Sequence, residues 1–163
     1  MTEAGFLRIL EELVDGGVEF VVVGGLALNS WGVIRGTKDV DVVLSSEPEN
    51  LNRAAAVAVE LGGHVQRSEA FASTAFSISA LLGSGQQTVI TTPFGALDVV
   101  QGLSGIPDFE GLRTRSVLVP ISRVEVNVCS LEDLRAMKRA AGRPRDLVDL
   151  ADLDAAHTPD PEL

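Results

Sequence analysis

Two aspartates interrupt a valine-rich segment in the first third of the chain, and their spacing could support metal chemistry. The segment reads "TKDVDVVL" over residues 37–44. Residues two apart in a strand project from the same face, so Asp39 and Asp41 would lie side by side. Neighbouring carboxylates repel each other and are costly to bury unless a cation compensates them. Mg²⁺ prefers such oxygen ligands and fills its other positions with water and phosphate. An edge strand with a solvated polar face, and Lys38 and Arg35 as surface partners, would give the same pattern.

A third carboxylate occurs in a similar setting farther along the chain. Asp98 lies in "ALDVV", again inside an apolar segment typical of a strand. On a neighbouring strand it would let three carboxylates hold two metal ions, an arrangement used for in-line phosphoryl displacement. Taken alone, it could equally be an edge-strand aspartate. We predict that strands near 19–23, 38–44 and 95–101 are neighbours in one sheet and bring the three carboxylates to a common cleft.

A glycine pair precedes the aspartates. The segment "VEFVVVGG" reads as a buried strand, and Gly24 and Gly25 lead directly into the short helical segment "LALNSWGV". Such a turn exposes backbone N–H groups at the positive end of a helix, which suits a phosphate. A tight turn without any ligand gives the same pattern, and the segment is neither a Walker sequence nor GxGxxG. The phosphate-binding interpretation is favoured by the residues that follow, because Arg35, Thr37 and the two aspartates all lie within 18 residues of the glycine pair.

The elements that must position these residues are helices and strands in irregular order. Helices are predicted for residues 3–15 and 48–61 and after Ser130 and Pro144, with a helical turn in "DFEGLRTR". Strands or hairpin arms are predicted in the segments "FASTAFSISALLG", "QQTVITT", "ALDVVQG", "SVLVPIS" and "VEVNVC". This order predicts an α/β (α+β) fold, a small mixed β-sheet flanked by helices, rather than a doubly wound Rossmann domain.

Length and composition define the class of protein that we expect. A chain of 163 residues with 45 % apolar residues suits one domain over 1–163, in which 130–154 form a C-terminal helical segment and 155–163 a frayed tail. The longest apolar run is too short for a membrane span and the start of the chain is unlike a signal peptide, so we expect a cytoplasmic protein. The single cysteine excludes an internal disulfide and a thiolate metal cluster.

The distribution of charge limits the partners. A net charge of −10 argues against broad nonspecific binding of nucleic acid, which relies on cations that neutralise phosphates. Five of the 13 basic residues nevertheless fall between positions 135 and 145, so a local anionic ligand remains compatible with the sequence.

The C-terminal helical segment offers a further candidate. Lys138 follows leucines by four and seven positions, so it would lie near the apolar face of its helix. Its stem could simply run along that face with the ammonium in water, or the ammonium could contact a phosphate. Arg143 is expected near a helix turn, Asp146 as a charge at the start of the last helix, and Asp149 in solvent, away from the apolar face.

Taken in order, these motifs resemble the nucleotidyltransferase superfamily related to DNA polymerase beta. Its members carry a strand, a glycine pair opening a helix, a D-x-[DE] strand and a later third carboxylate, matched here by "VVVGGLAL", "TKDVDVVL" and "ALDVV". The "RGTKDVD" variant is similar to small bacterial nucleotidyltransferases of the minimal and abortive-infection types, including relatives in toxin–antitoxin systems. The closing stretch "SLEDLRAMKRAAGRPRDLVDL" is also similar, so the resemblance covers about residues 20–153.

The resemblance implies roles for the residues at the matching positions. Asp39 and Asp41 would ligate two Mg²⁺ ions, with Mn²⁺ as the alternative, and Asp98 would complete the site and help to activate an attacking hydroxyl. Gly24 and Gly25 would hold the triphosphate through backbone N–H groups. The second glycine replaces the serine of many members, so one hydroxyl contact to phosphate is missing.

The remaining matched positions would surround the phosphates. Arg35, Thr37 and Lys38 would lie beside them, Lys138 would contact a phosphate or the leaving group, and Arg143 would be a further nucleotide contact. The implied function is metal-dependent transfer of a nucleoside monophosphate from an NTP to a hydroxyl of a small molecule, an RNA end or a protein side chain.

A second function of a different class competes with this one. The chain would then be an inactive or weakly active member that binds a cognate protein partner, as an antitoxin does. Three costly carboxylates favour the enzyme, because a pure binding module has little need of them.

Overall fold

The computed structural model describes residues 5–67 and 69–157, and these residues form seven helices and eight strands. In chain order the elements are α1 (Gly5–Asp15), β1 (Phe20–Val23), α2 (Gly24–Ser30), β2 (Val40–Leu44), α3 (Pro48–Glu60), β3 (Val65–Arg67), β4 (Ala70–Ala72), α4 (Ala75–Gly83), β5 (Thr88–Thr92), β6 (Gly95–Val99), α5 (Phe109–Arg115), β7 (Val117–Ile121), β8 (Val124–Val128), α6 (Leu131–Ala141) and α7 (Pro144–His157). No helix among them is both long and apolar enough to cross a membrane.

Six strands form one mixed sheet in the order β5-β6-β2-β1-β8-β7. The central strand β1 runs antiparallel to β2 and parallel to β8, and β2 runs parallel to β6. The hairpins β5–β6 and β7–β8 close the two edges, and β3 and β4 form a separate two-stranded sheet. The predicted fold class is therefore confirmed, and the three strands expected to be neighbours are adjacent in the order β6-β2-β1.

The central strands β1 and β2 are apolar on both faces, which places them inside the protein. All four residues of β1 are buried, and so are four of the five in β2, with Asp41 as the exception. Helix α1 packs one apolar side onto this core through Ile9, Leu10 and Leu13. Burial of such side chains drives folding, so the core holds β1 and β2 as a fixed platform for the polar residues at their ends.

The prediction of a strand or hairpin arm in "FASTAFSISALLG" is wrong over residues 75–83, where α4 forms. The hydroxyl of Thr74 accepts a hydrogen bond from the backbone N–H of Ser77, and the hydroxyl of Ser77 accepts one from the N–H of Thr74. This reciprocal capping box stabilises a helix start. Ile78 and Leu82 are both buried, and their spacing of four residues places them on one helix face.

The C-terminal helix is longer than predicted. Helix α7 continues to His157, three residues past the expected end of the helical segment at 154, and residues 158–163 of the predicted tail lie outside the described residues. The ring Nε2 of His157 lies 2.6 Å from the carbonyl oxygen of Trp31, while the Trp31 indole N–H donates to the Cys129 carbonyl at 2.9 Å. These contacts join the end of α7 to the end of α2 and to the segment before α6.

Candidate active site

Strand pairing brings two of the predicted carboxylates directly together. In the parallel pair β2–β6, Asp41 lies opposite Asp98, and in the antiparallel pair β1–β2 it lies opposite Val23. Side chains at paired positions project from the same face of a sheet. Asp39, two residues before Asp41, lines the same cavity of about 1010 Å³ as both of them.

The glycine turn at the start of α2 makes room for the Asp41 carboxylate. Gly24 has φ +67°, and a Cβ built on it would collide with Oδ2 of Asp41. The backbone of Gly25 forms a hydrogen bond with the Asp41 carboxylate, and Thr37 packs over Gly25 while its hydroxyl donates to the carbonyl of Asp39 at 3.1 Å. In this structure the turn therefore positions a carboxylate.

The surroundings of the Asp41 carboxylate oppose its ionisation. Burial, then the charges of Asp98 and Asp39, raise the pKa of Asp41 to about 6, despite the Gly25 backbone hydrogen bond and the positive charge of Lys138, which act the other way. Burial also raises the pKa of Asp98. Three carboxylates thus share a partly buried space in which none of them has an ion pair with a residue that the structure describes.

A residue that sequence reasoning missed caps Asp98. The side-chain amide of Gln87, just before β5, donates to both carboxylate oxygens of Asp98 at 3.0 Å and opposes the rise in its pKa. Asp39 accepts a hydrogen bond from the Ala96 N–H at 3.1 Å. The Gln87 contact depends on the register of the β5–β6 hairpin, and no local motif in the sequence signals it.

The opposite wall of the cavity carries ion pairs. Six residues from the loop before β2, helix α6, the turn between α6 and α7, and helix α7 form what we name the C-terminal ion network: Arg35, Lys138, Arg143, Asp146, Asp149 and Asp152. Lys138 Nζ lies 2.9 Å from Asp149 Oδ2 and 3.3 Å from Asp146 Oδ1. Arg143 Nε lies 2.7 Å from Asp146 Oδ2, and Arg35 reaches Asp149 and Asp152 at 2.7 and 2.8 Å.

The expectation that Asp149 is solvated is wrong. Its side chain is only 7 % exposed and accepts hydrogen bonds from Arg35 and Lys138. Asp146 is more than a helix-terminal charge, because its side chain is completely buried between Lys138 and Arg143. Burial would raise the pKa of Asp146, but the hydrogen bonds from Arg143 and Lys138 outweigh burial and lower it to about 2. Apolar periodicity failed here because charged partners, rather than apolar contacts, bury these aspartates.

The structure brings nine of the ten predicted site residues to the cavity. Those that line it are Gly24, Gly25, Arg35, Thr37, Asp39, Asp41, Asp98, Lys138 and Arg143. Lys38 is the exception, since its side chain is exposed and does not line the cavity. The Lys138 side chain is 12 % exposed, and its charge also acts on Asp41. Lys138 therefore stands between the carboxylate group and the C-terminal ion network.

The carboxylate group suits a hard divalent cation by donor type. Within residues 5–67 and 69–157, no three His, Cys, Asp or Glu side chains are arranged closely enough to hold a metal ion. The carboxylate oxygens of Asp41 and Asp98 are nevertheless the ligands that Mg²⁺ prefers, and their mutual repulsion is what a cation would relieve. For Asp98 to bind one, the Gln87 amide must move from its oxygens.

Comparison with known proteins connects this geometry to one family. The model of a family described as a nucleotidyltransferase of unknown function, DUF6036, matches residues 8–160. No curated protein matches the chain. The solution structure of the antibiotic-resistance factor ANT(2'')-Ia is similar over 94 % of this chain and 82 % of its own, with 14 % identity and TM-score 0.59. A candidate nucleotidyltransferase from Thermotoga maritima is similar over 93 % of both chains, with 19 % identity and TM-score 0.57. At these identities the two structures support the fold.

Proposed function

Because the chain belongs to the DUF6036 family of nucleotidyltransferases, we propose that it transfers a nucleoside monophosphate from an NTP to an acceptor hydroxyl. A bond forms between the acceptor oxygen and the α-phosphorus, the bond from that phosphorus to the β-phosphate oxygen breaks, and pyrophosphate leaves. The hydroxyl proton passes to a carboxylate or to water. The acceptor classes are those that the sequence suggests: a small molecule, an RNA end or a protein side chain.

The observation that carries this proposal is the pair Asp41–Asp98. The two carboxylates are in register on neighbouring strands, have raised pKa values and face a large cavity, and neither forms an ion pair with a cation in residues 5–67 or 69–157. Like charges held together in this way cost stability. Groups with perturbed pKa values in a cleft are candidates for function, since function explains why such a cost is retained.

The chain's own residues divide the work of this reaction. Asp41 and Asp98 would hold Mg²⁺, or Mn²⁺ in its place, and the metal would neutralise charge on the phosphates. Asp39 would have to move closer to them for the three carboxylates to hold two ions. Asp98, whose raised pKa favours proton uptake, would help to activate the hydroxyl. Gly24 and Gly25 would meet the triphosphate through the backbone.

Cations from the other wall would complete the binding of the nucleotide. Lys138 is held by Asp146 and Asp149 and acts electrostatically on Asp41, so it is preorganised to face charge that develops on the leaving group. Arg35, Thr37 and Arg143 line the cavity and would lie beside the phosphates. Lys38 lies outside the cavity lining and is the weakest of the proposed nucleotide contacts.

The competing function is that of a partner-binding protein without catalysis, as in an antitoxin. That setting rests on the sequence resemblance alone, and a cytoplasmic location rests on the short apolar runs and the N-terminal pattern of the sequence. The raised pKa of Asp41 favours the enzyme, because a binding module would gain stability by replacing that residue.

The test is transfer of label from α-labelled NTPs, with Mg²⁺ or Mn²⁺, to acceptors in cell extract. Wild-type protein should label an acceptor and release pyrophosphate, and Asp41→Asn should reduce the rate by at least about 10²-fold. Asp15→Asn is the matched control, since Asp15 pairs with Arg123 on the surface and should leave the rate unchanged. Unchanged labelling by Asp41→Asn would contradict the proposal.

A further inference from the structure

Four cationic side chains line the cavity, and ion pairs account for three of them. Arg35, Lys138 and Arg143 each contact carboxylates of the C-terminal ion network at 2.7–3.3 Å. Two of those carboxylates, on Asp146 and Asp149, are buried. The three cations and the three carboxylates of the network sum to zero charge. To bind an incoming anion, these cations must share or lose partners that they already hold.

Arg145 is the fourth cation, and its situation differs. It lines the cavity, is exposed, and forms no hydrogen bond or ion pair with any residue in 5–67 or 69–157. It is the second residue of α7, directly after Pro144. Arg145 is one of the five basic residues between positions 135 and 145, and no motif in the sequence indicates a role for it.

We propose that Arg145 binds a phosphate of the nucleotide, so that it is a specificity residue for a triphosphate substrate. This inference rests on the proposed function and names a residue for its substrate. A guanidinium binds phosphate oxygens through two parallel N–H donors, which makes arginine better suited to this contact than a point charge. Arg145 gives up only water to form it.

The alternative cations would bind phosphate at a higher cost. If Lys138 or Arg143 turned to the ligand, Asp146 would keep its charge in a buried place without full compensation. Removing one partner of a buried ion pair is strongly destabilising. The cations of the C-terminal ion network can therefore lie beside the phosphates only while they keep their carboxylate partners, and Arg145 contributes a positive charge that has no such partner among the described residues. The first turn of α7 adds the positive end of a helix beside it.

Arg139 provides a matched comparison. It is also exposed and also without a partner among the described residues, and it lies on α6 six positions before Arg145. It does not line the cavity. The two arginines have the same charge and are both exposed, so a general electrostatic effect would act on both, and a specific contact would act on Arg145 alone.

The experiment measures binding of Mg·ATP and of Mg·tripolyphosphate by titration calorimetry to wild-type protein, Arg145→Ala, Arg145→Lys and Arg139→Ala. We expect Arg145→Ala to weaken both ligands about 10- to 100-fold, the range for a hydrogen-bonded charge contact. Arg145→Lys should fall between wild-type protein and alanine. Arg139→Ala should match wild-type protein, and the ligand-free melting temperatures of all four proteins should agree.

Each contrary outcome has a distinct meaning. Equal affinities of wild-type protein and Arg145→Ala for Mg·ATP overturn the inference and leave the proposed function intact. A loss for Mg·ATP without a loss for Mg·tripolyphosphate overturns the assignment to phosphate. Equal losses in the two arginine-to-alanine variants reduce the effect to general charge and also overturn it. A wild-type protein that binds neither ligand overturns both the inference and the proposed function.

Discussion

The cavity has a sheet wall, which carries Asp39, Asp41 and Asp98, and a helical wall, which carries the C-terminal ion network. Both walls contain aspartates, but in opposite electrostatic settings. On the sheet wall, Asp41 stands beside Asp98 and Asp39, and its pKa is raised to about 6. On the helical wall, Asp146 is more deeply buried, yet Lys138 and Arg143 lower its pKa to about 2. Burial acts in the same direction on both carboxylates. The difference is compensation, because a neighbouring cation outweighs burial and a neighbouring carboxylate adds to it.

This contrast distinguishes aspartates that stabilise the folded protein from aspartates whose charge lowers its stability. The C-terminal ion network connects the loop before β2 to α6 and α7, so its aspartates contribute to the folded state. The sheet carboxylates have no such partner among the described residues and oppose one another. Substitutions in the two walls should therefore change stability in opposite directions, which makes the comparison open to direct tests.

The largest effect on stability is expected on the helical wall. Asp146→Ala removes a fully buried carboxylate and leaves Lys138 and Arg143 without it. We expect a loss of about 3 kcal/mol in the free energy of unfolding, the lower end of the cost of breaking a buried pair, because Arg143 is half exposed. Denaturant titration of the ligand-free protein measures this loss.

Asp152→Ala is the control for that variant. Asp152 belongs to the same network, but its side chain is 44 % exposed and its partner Arg35 keeps Asp149. Its loss should cost less than about 1 kcal/mol, as for exposed ion pairs. Similar losses in the two variants would show that burial does not distinguish the members of the network.

A second test uses pH on both walls at once. The pKa of Asp41 is raised above its ordinary 3.8 in the folded protein, so its ionisation opposes folding and stability should fall as pH rises from about 4 to about 6. The lowered pKa of Asp146 has the reverse sign, so its contribution is lost as pH falls from about 4 to about 2. Melting temperatures without metal should therefore peak near pH 4, where the two ranges meet.

The Asp41→Asn variant tests whether Asp41 causes the fall in stability between about pH 4 and 6. Asparagine cannot ionise, so the variant should lose the part of the decline between about pH 4 and 6 that Asp41 causes, while the raised pKa of Asp98 retains a smaller part. The variant should be at least as stable as wild-type protein at pH 7. The loss of stability as pH falls from about 4 to about 2 should remain, since Asp146 is unchanged. If the variant melts well below wild-type protein at pH 7, the Asp41 carboxylate stabilises the fold and the contrast between the walls fails.

The smallest effect is expected at Gln87, whose amide covers both oxygens of Asp98. Gln87→Ala should tighten binding of Mn²⁺ by about threefold, because the ion no longer displaces a hydrogen bond with a net worth near 0.5–1 kcal/mol. Gln86→Ala is the control, since Gln86 is exposed and lies outside the cavity lining. Weaker binding of Mn²⁺ by Gln87→Ala would mean that the amide supports the metal-bound form instead.

Local patterns were sufficient for the sheet wall. Three signals are each contained in a few neighbouring residues: the apolar alternation around Asp39 and Asp41, the glycine pair at the start of α2, and the apolar setting of Asp98. Strand adjacency followed from the same segments, and the fold class is confirmed. The capping box at Thr74 was equally local but was not recognised, so α4 was predicted as a strand or hairpin arm.

The helical wall could not be predicted because its contacts are distant in sequence. Arg35 and Asp149 are separated by 114 positions, and their pairing requires α7 to pack beside the loop before β2. An aspartate off the apolar face is usually solvated, and only the approach of Lys138 and Arg35 makes burial of Asp149 favourable. The Gln87–Asp98 contact likewise depends on how β5 pairs with β6, which the composition of neither strand specifies.

The contact between the ends of α2 and α7 contains a natural fluorescent probe, Trp31. Trp31 is the single tryptophan and the chain has no tyrosine, so its fluorescence reports from one place. The indole donates to the Cys129 carbonyl, and the His157 ring meets it edge-on at 5.8 Å. A change that loosens α7 from α2 should shift the wavelength or intensity of this emission, so a test for movement of α7 on substrate addition needs no added label.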